Sequence, residues 1–232
     1  MIVFTFPGQG SQKPGMGEAW RDHPSWELVD EASAMAERDL ARLLLDADAD
    51  ELKATHNAQL ATFLTSLVVL DAVERVGVEP AATAGHSLGE YTALVASGAL
   101  SLDDGVRLVA ERGEAMLEAA TTQTGTMAAV LGLDDGDVEI ACARVDGDVW
   151  VANYNAPGQV VVAGSPEAVA EAADVAKSMG AKKVMPMAVS GAFHTPFMSP
   201  ARERLRKAVG AAELRAPDVP VYANVDALAH TD

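Results

Sequence analysis

The segment Gly85-His86-Ser87-Leu88-Gly89, running on into Glu90-Tyr91-Thr92-Ala93-Leu94-Val95-Ala96, decides the fold. A Gly-x-Ser-x-Gly run between a short apolar segment and a helix-forming one reads as a nucleophile elbow. This is a sharp strand-to-helix turn at the end of a sheet strand, and it presents a serine hydroxyl. The glycines have a steric role, because the turn is tight and neighbouring backbone passes close to the serine. The competing reading is an ordinary tight turn.

Working outward, residues 81–85 supply the strand and the helix after the elbow runs to about Ser97, where Gly98 is placed to stop it. Upstream, residues 2–6 read as a buried strand ended by Pro7 and the loop Gly8-Gln9-Gly10-Ser11. Helical periodicity follows at 24–38 and 58–76. Downstream, Ser101-Leu102-Asp103-Asp104 resembles a capping box and opens a helix to about Ala120. Residues 126–188 change character, reading strand (126–132), helix (134–143), strand (149–155), strand (159–164), helix (166–179) and strand (182–188). Asn155-Ala156-Pro157-Gly158 makes the central turn, and Ser165-Pro166 starts the second helix with proline at its first position. The βαββαβ order is the ferredoxin-like pattern. The expected architecture is an α/β-hydrolase-like body with a parallel sheet (1–124 and 189–232), interrupted by a ferredoxin-like subdomain (125–188). The chain returns to the body at Ser190.

The 232 residues are 49% hydrophobic with periodic segments throughout, enough for a sizeable core. The formal charge of -17 argues against a nucleic-acid partner. Acidic runs such as Asp46 to Glu51 and Asp134 to Asp137 read as solvated surface. An acidic protein partner would need a local basic patch, for which Lys182-Lys183 and the run Arg202, Arg204, Arg206 and Lys207 are candidates. The longest apolar stretch, Leu64 to Val73, is too short and too interrupted to span a bilayer. The first residues, lacking a basic segment, read as a strand and not a signal peptide. One cysteine, Cys142, excludes an internal disulfide and fits a cytoplasmic setting. No Cys/His grouping has metal-binding spacing.

A serine nucleophile needs a base. Of five histidines, His23 and His56 sit in polar stretches that read as exposed, His86 should point away from Ser87, and His230 is near the last residue. His194, in Gly191-Ala192-Phe193-His194-Thr195-Pro196, follows a strand in a loop, where catalytic groups of α/β folds collect. It is either the base or the cap of the next helix. Arg112 discriminates further. On the 102–120 helix, Arg107, Glu111, Glu114 and Glu118 form a charged stripe, whereas Arg112 points with Gly105, Leu108, Val109 and Met116 on the apolar face. A buried guanidinium needs an anion, either an internal Asp or Glu or a substrate carboxylate held by its bidentate fork. The Gly8–Gln12 loop fails both phosphate-binding templates. It suits an oxyanion hole, aiming backbone N–H groups at the serine.

Taken together, the chain resembles the malonyl-CoA:acyl-carrier-protein transacylases of fatty-acid synthesis and the related acyltransferases of polyketide synthases. The resemblance rests on Phe6-Pro7-Gly8-Gln9-Gly10-Ser11-Gln12, the elbow, Glu111-Arg112-Gly113, Asn153-Tyr154-Asn155-Ala156-Pro157-Gly158-Gln159 and Gly191-Ala192-Phe193-His194, in that family's order over essentially the whole chain. It implies Ser87 as the acylated nucleophile, His194 as its base, and the N–H groups of Gln9 and Leu88 as oxyanion hole. Arg112 would bind the malonyl carboxylate, with Gln59, Met116 and Phe193 also at the substrate. Leu60 stands where the family usually has proline after that glutamine. Leu88 and Phe193 stand where methylmalonyl-selecting relatives carry other residues, which favours malonyl by a modest margin. The expected partners are malonyl-CoA and acyl carrier protein, with the CoA thioester as substrate, the carrier's phosphopantetheine as acceptor and no resident cofactor. The expected protein is a cytoplasmic monomer. The alternatives are an acyl-thioester hydrolase and an inactive carrier-binding module. Members of that family continue well past the position of Asp232, and that part supplies the carbonyl orienting the histidine. The chain is therefore expected to be C-terminally truncated, with Ala229-His230-Thr231-Asp232 a turn between elements.

Overall fold

The computed structural model describes residues 1–189 and 191–232. The expected return point, Ser190, lies outside them. In chain order the elements are β1 (Val3–Phe6), α1 (Glu27–Met35), α2 (Leu40–Leu45), α3 (Ala49–Lys53), α4 (Thr55–Glu74), β2 (Ala82–Gly85), α5 (Gly89–Ala96), α6 (Leu102–Thr122), β3 (Thr126–Leu131), α7 (Asp135–Ala143), β4 (Val149–Ala156), β5 (Gln159–Gly164), α8 (Pro166–Ser178), β6 (Lys183–Pro186), α9 (Ser199–Ala211), β7 (Val221–Tyr222) and β8 (Ala229–His230). The chain divides into two compact units, Met1–Glu114 with Leu205–Asp232, and Ala115–Arg204.

The first unit is built on a sheet of order β1-β2-β7-β8. β2 lies between β1 and β7 and runs parallel to both, with Phe6 opposite Gly85 and Ala84 opposite Tyr222. A strand enclosed in this way is buried on both faces, and β2 is made of small residues, Ala82, Thr83, Ala84 and Gly85. Its Thr83 hydroxyl donates to the carbonyl of Ala93 in α5 (3.1 Å). The helix α4 is apolar nearly all round, which marks a buried helix. Phe63, Leu60, Leu64 and Val68 of this helix join Leu40, Leu43, Leu44, Val29 and Leu88 in one core. Two short helices there escape sequence periodicity. Each is started by an aspartate: Asp39 accepts from the Arg42 N–H, and Asp48 from those of Asp50 and Glu51. The acidic run at 46–51 is thus partly a helix start. The C-terminal turn expected at 229–232 is corrected: Ala229 and His230 form β8, antiparallel to β7, with Val221 opposite His230.

The second unit holds an antiparallel sheet of order β4-β5-β3-β6, with α7 and α8 in the connections. β3 pairs with β5 along its whole length and with β6 over Ala128–Leu131. Val130, Val160 and Val162 pack against Val138, Ala141, Val169 and Ala172 of the two helices. A second cluster joins Met127, Val161 and Ala163 to Ala115, Met116, Ala119, Phe193 and Phe197. This unit therefore takes in more than residues 125–188, because the end of α6 and the segment from Ala192 to Ala201 pack with its sheet.

Candidate active site

The elbow is assembled by close backbone approach at the C-terminal end of β2, where α/β sheets bind ligands. The ladder between β1 and β2 runs one rung past the strand, with His86 N–H donating to the Phe6 carbonyl (3.0 Å). A methyl group on Gly89 would stand 2.2 Å from that same oxygen, and one on Gly85 would stand 2.0 Å from the Gly89 backbone. No side chain fits either position. Among the described residues four non-glycines have positive φ: Glu37, Ser87, His194 and Ala227. Two of these are the expected catalytic pair. Such conformations cost on the order of 1–3 kcal/mol and persist only where surroundings impose them.

Arg112 is buried, 8% exposed, on the apolar face of α6, while Arg107, Glu114 and Glu118 of the opposite stripe are exposed. Its hydrogen-bond partners are neutral. Nη2 donates to the Ser87 hydroxyl (2.9 Å) and Nη1 to Gln59 Oε1 (2.5 Å). The guanidinium also lies 5.7 Å from the centre of the Tyr91 ring, a cation–π contact. Burial lowers the guanidinium's affinity for its proton and raises that of the Tyr91 phenol. Among the described residues no carboxylate hydrogen-bonds Arg112; the one carboxylate that acts on it through charge is Glu90.

Gln59 is itself fully buried on α4 and is held by a second neutral group. Its Nε2 donates to the Thr55 hydroxyl (3.3 Å), which donates in turn to Gln9 Oε1 (2.6 Å). A chain of polar contacts therefore links the loop after β1 to Ser87. Helix α6 can approach α4 closely enough for this because Gly113 faces the backbone of His56, where a methyl would stand 2.7 Å from the His56 Cα. Leu88 is fully buried in the core. Its side chain packs there with Phe63, Leu60 and Leu64 of α4.

In the second unit, His194 is exposed at φ +61°. The cap it was considered for is made by Thr195, whose Oγ1 accepts from Phe197 N–H (3.3 Å) and donates to the Ala192 carbonyl (2.6 Å). Met116 and Phe193 share the cluster around Met127. Two other histidines are corrected. His23 is half-buried and accepts from Ser25 N–H (3.2 Å), capping the helical turn at Pro24–Trp26. His56 is half-buried, its Nδ1 is enclosed without a hydrogen-bond partner, and burial lowers its pKa.

Four participants in this region escaped sequence reading: Thr55, Glu90, Tyr91 and Asn224. Asn224 Oδ1 accepts from Ser87 N–H (2.6 Å), and its Nδ2 donates to the Gly85 carbonyl (2.6 Å). Its own N–H donates to Glu90 Oε1 (3.0 Å). Burial pushes the Glu90 carboxyl up, opposed by that N–H and by the charge of Arg112. Spacing does not point to these bonds: Asn224 lies 137 residues from Ser87 and 134 from Glu90, and Thr55 lies 46 from Gln9.

The acyl transferase domain family matches residues 3–232. A malonyl CoA-acyl carrier protein transacylase of Bacillus subtilis is 46% identical over 97% of this chain and 73% of its own length. The corresponding protein of Salmonella typhimurium is 44% identical over 100% and 76%. Among solved structures, a malonyl-transacylase in complex with its type II PKS acyl-carrier protein superimposes with a TM-score of 0.94 at 37% identity, covering 100% of this chain and 76% of that one. With a buried arginine on an elbow serine, a family match over residues 3–232 and this level of identity, the chain belongs to the family of malonyl CoA-acyl carrier protein transacylases.

Proposed function

We propose that this chain transfers a malonyl group from malonyl-CoA to the phosphopantetheine thiol of an acyl carrier protein, through a malonyl ester on Ser87. One observation carries the reading: a buried guanidinium with neutral hydrogen-bond partners donates to the elbow serine (2.9 Å). An acyl group esterified there and ending in a carboxylate would give Arg112 a hydrogen-bonded anion, which neither Gln59 nor Ser87 supplies.

In the first half-reaction the Ser87 hydroxyl oxygen attacks the thioester carbonyl as His194 takes the hydroxyl proton. The N–H groups of Gln9 and Leu88 receive the oxyanion, a contribution typically worth about 2.7–4 kcal/mol per donor. The C–S bond breaks and the CoA sulfur leaves with the proton from His194. In the second half-reaction the carrier thiol gives its proton to His194 and attacks the ester carbonyl. The C–O bond breaks and Ser87 regains the proton. Gln59 holds Arg112 at the carboxylate, and Met116 and Phe193 line the acyl group. Donor and acceptor alternate at one serine, so the scheme uses no resident cofactor.

The same reading makes the parallel-sheet body (1–124 and 189–232) α/β-hydrolase-like and residues 125–188 a ferredoxin-like subdomain, supported by the strand order β4-β5-β3-β6. Among the described residues no helix is long and apolar enough to cross a membrane. A cytoplasmic monomer, its one cysteine reduced, fits this reading. The direct test is mass spectrometry after mixing with malonyl-CoA. One malonyl ester on Ser87, absent in Ser87→Ala, is expected; label on any other residue overturns the assignment.

A further inference from the structure

β7 leaves the sheet after Tyr222, opposite Ala84, while the β2 chain runs on through Gly85 to the elbow. In a parallel ladder, one residue of the neighbouring strand donates its N–H to the carbonyl of residue i-1 and accepts from the N–H of residue i+1. The Gly85 carbonyl and the Ser87 N–H are such a pair, flanking His86. Both are met by one side chain: Asn224 Nδ2 donates to Gly85 O and Asn224 Oδ1 accepts from Ser87 N–H, each at 2.6 Å. The carboxamide, chemically a peptide group, replaces the missing rung. On the opposite side His86 N–H still bonds to Phe6 (3.0 Å), so the elbow is gripped from both edges. The Asn224 backbone is anchored in turn by Glu90 of α5 (3.0 Å).

We propose that Asn224 is a positioning residue for the acyl transfer: its carboxamide holds Ser87 in its left-handed conformation and so aims both the hydroxyl and the following Leu88 N–H. This rests on the reading of Ser87 as the acylated residue. Ser87 stands at φ +50°, a conformation a serine does not keep unaided. The next N–H along is that of Leu88, the expected oxyanion donor, so an error in the Ser87 peptide moves nucleophile and donor together. Asn224 is exposed, not part of the core. Its loss should therefore fall on the chemical step and little on folding, and Arg112, held separately by Gln59, should keep its grip on the substrate.

The test is Asn224→Ala in the full chain, reading Ser87 acylation against malonyl-CoA concentration, the melting temperature and the exchange rate of the Ser87 amide proton. The expected result is a kcat lower by on the order of 10²-fold, the scale of a misplaced reacting group, with unchanged KM. The melting curve should be nearly unchanged and amide exchange faster by about tenfold or more. An unchanged kcat, or a kcat loss matched by an equal loss of folded protein, overturns the proposal. If Asn224→Ala does not fold, Asn224→Asp, which keeps the acceptor for Ser87 N–H and removes the donor to Gly85, is judged by the same criteria. If the unaltered protein forms no ester on Ser87, the functional reading fails by itself. Ser87 amide exchange then decides, and an unchanged rate in the variant overturns the proposal.

Discussion

The two sheets solve the same problem of backbone pairing in opposite ways. In the second unit the strands are four to eight residues long and mostly joined in register, and the ladder satisfies itself. Side chains there are left to pack, and they do so as two apolar clusters, one mostly of Val and Ala and one that includes Met127, Phe193 and Phe197. In the first unit the strands are four residues or fewer, and β7 has two. That sheet runs out of backbone partners just where the elbow begins. Polar side chains take over: Asn224 on the Ser87 and Gly85 peptides, Gln59 on Arg112, Thr55 between Gln59 and Gln9. A sheet that pairs completely leaves nothing to do chemistry with. One that ends early has its remaining groups fixed by side chains that can also address a ligand.

Four measurements press on this contrast. The largest effect is expected from Arg112→Ala, which removes a buried charge from the first unit. Malonyl loading of Ser87 should fall by roughly 10²–10³-fold, the range for truncating one partner of a buried charge pair. Acetyl loading should fall much less, and equal losses for both acyl groups would mean that Arg112 does not bind the carboxylate. Next comes Gly89→Ala, whose methyl would meet the Phe6 carbonyl at 2.2 Å. It should cost about 1–3 kcal/mol in chemical denaturation, and more if the elbow cannot shift. A wild-type midpoint would mean that the elbow is looser than described. Third, Cys142 in the second core has its thiol pushed up by burial from 9.0 to about 11. Near pH 8 it should react with a thiol reagent about a hundredfold slower than a free cysteine, and at the free rate once denatured. The folded state keeps this proton to a higher pH than the unfolded chain, so its contribution is intact below pH 9.0 and is lost as pH rises toward about 11. The smallest effect is reserved for Gly136→Ala in α7. Apart from its own turn of helix, no atom of the described residues lies within 4 Å of the added methyl, so stability should rise by at most about 0.5–1 kcal/mol without touching acylation.

The same contrast explains what could be read from the sequence. The antiparallel unit is local: Asn155 to Gly158 gives its turn, Ser165-Pro166 caps α8, and strands and helices follow the expected boundaries within a few residues. The elbow and the inward direction of Arg112 were legible for the same reason, since both follow from spacing within one element. The two-residue strands β7 and β8 were not, because so short a strand has no periodicity and exists only through its partner. Thr55 and Asn224 were invisible on similar grounds. Thr55 sits 46 residues from Gln9 and Asn224 sits 137 from Ser87, and nothing in either neighbourhood announces the bond. His23 and His56, placed on the surface by their polar flanks, are half-buried: His23 folds back to cap the turn at Pro24–Trp26 with its ring against Trp20, and His56 sits in the first turn of the buried helix α4.

Arg112 has a consequence for handling the protein. On the proposed function, a positive group enclosed by an amide, a hydroxyl and an aromatic ring would receive another anion whenever no acyl group is on Ser87. Small inorganic anions and free dicarboxylates should therefore inhibit by competing for the guanidinium, and buffers of phosphate or sulfate should depress the measured rate more than chloride-free zwitterionic ones. Because such an anion would displace the substrate carboxylate and not the thioester, the inhibition should be pronounced for malonyl-CoA and slight for acetyl-CoA.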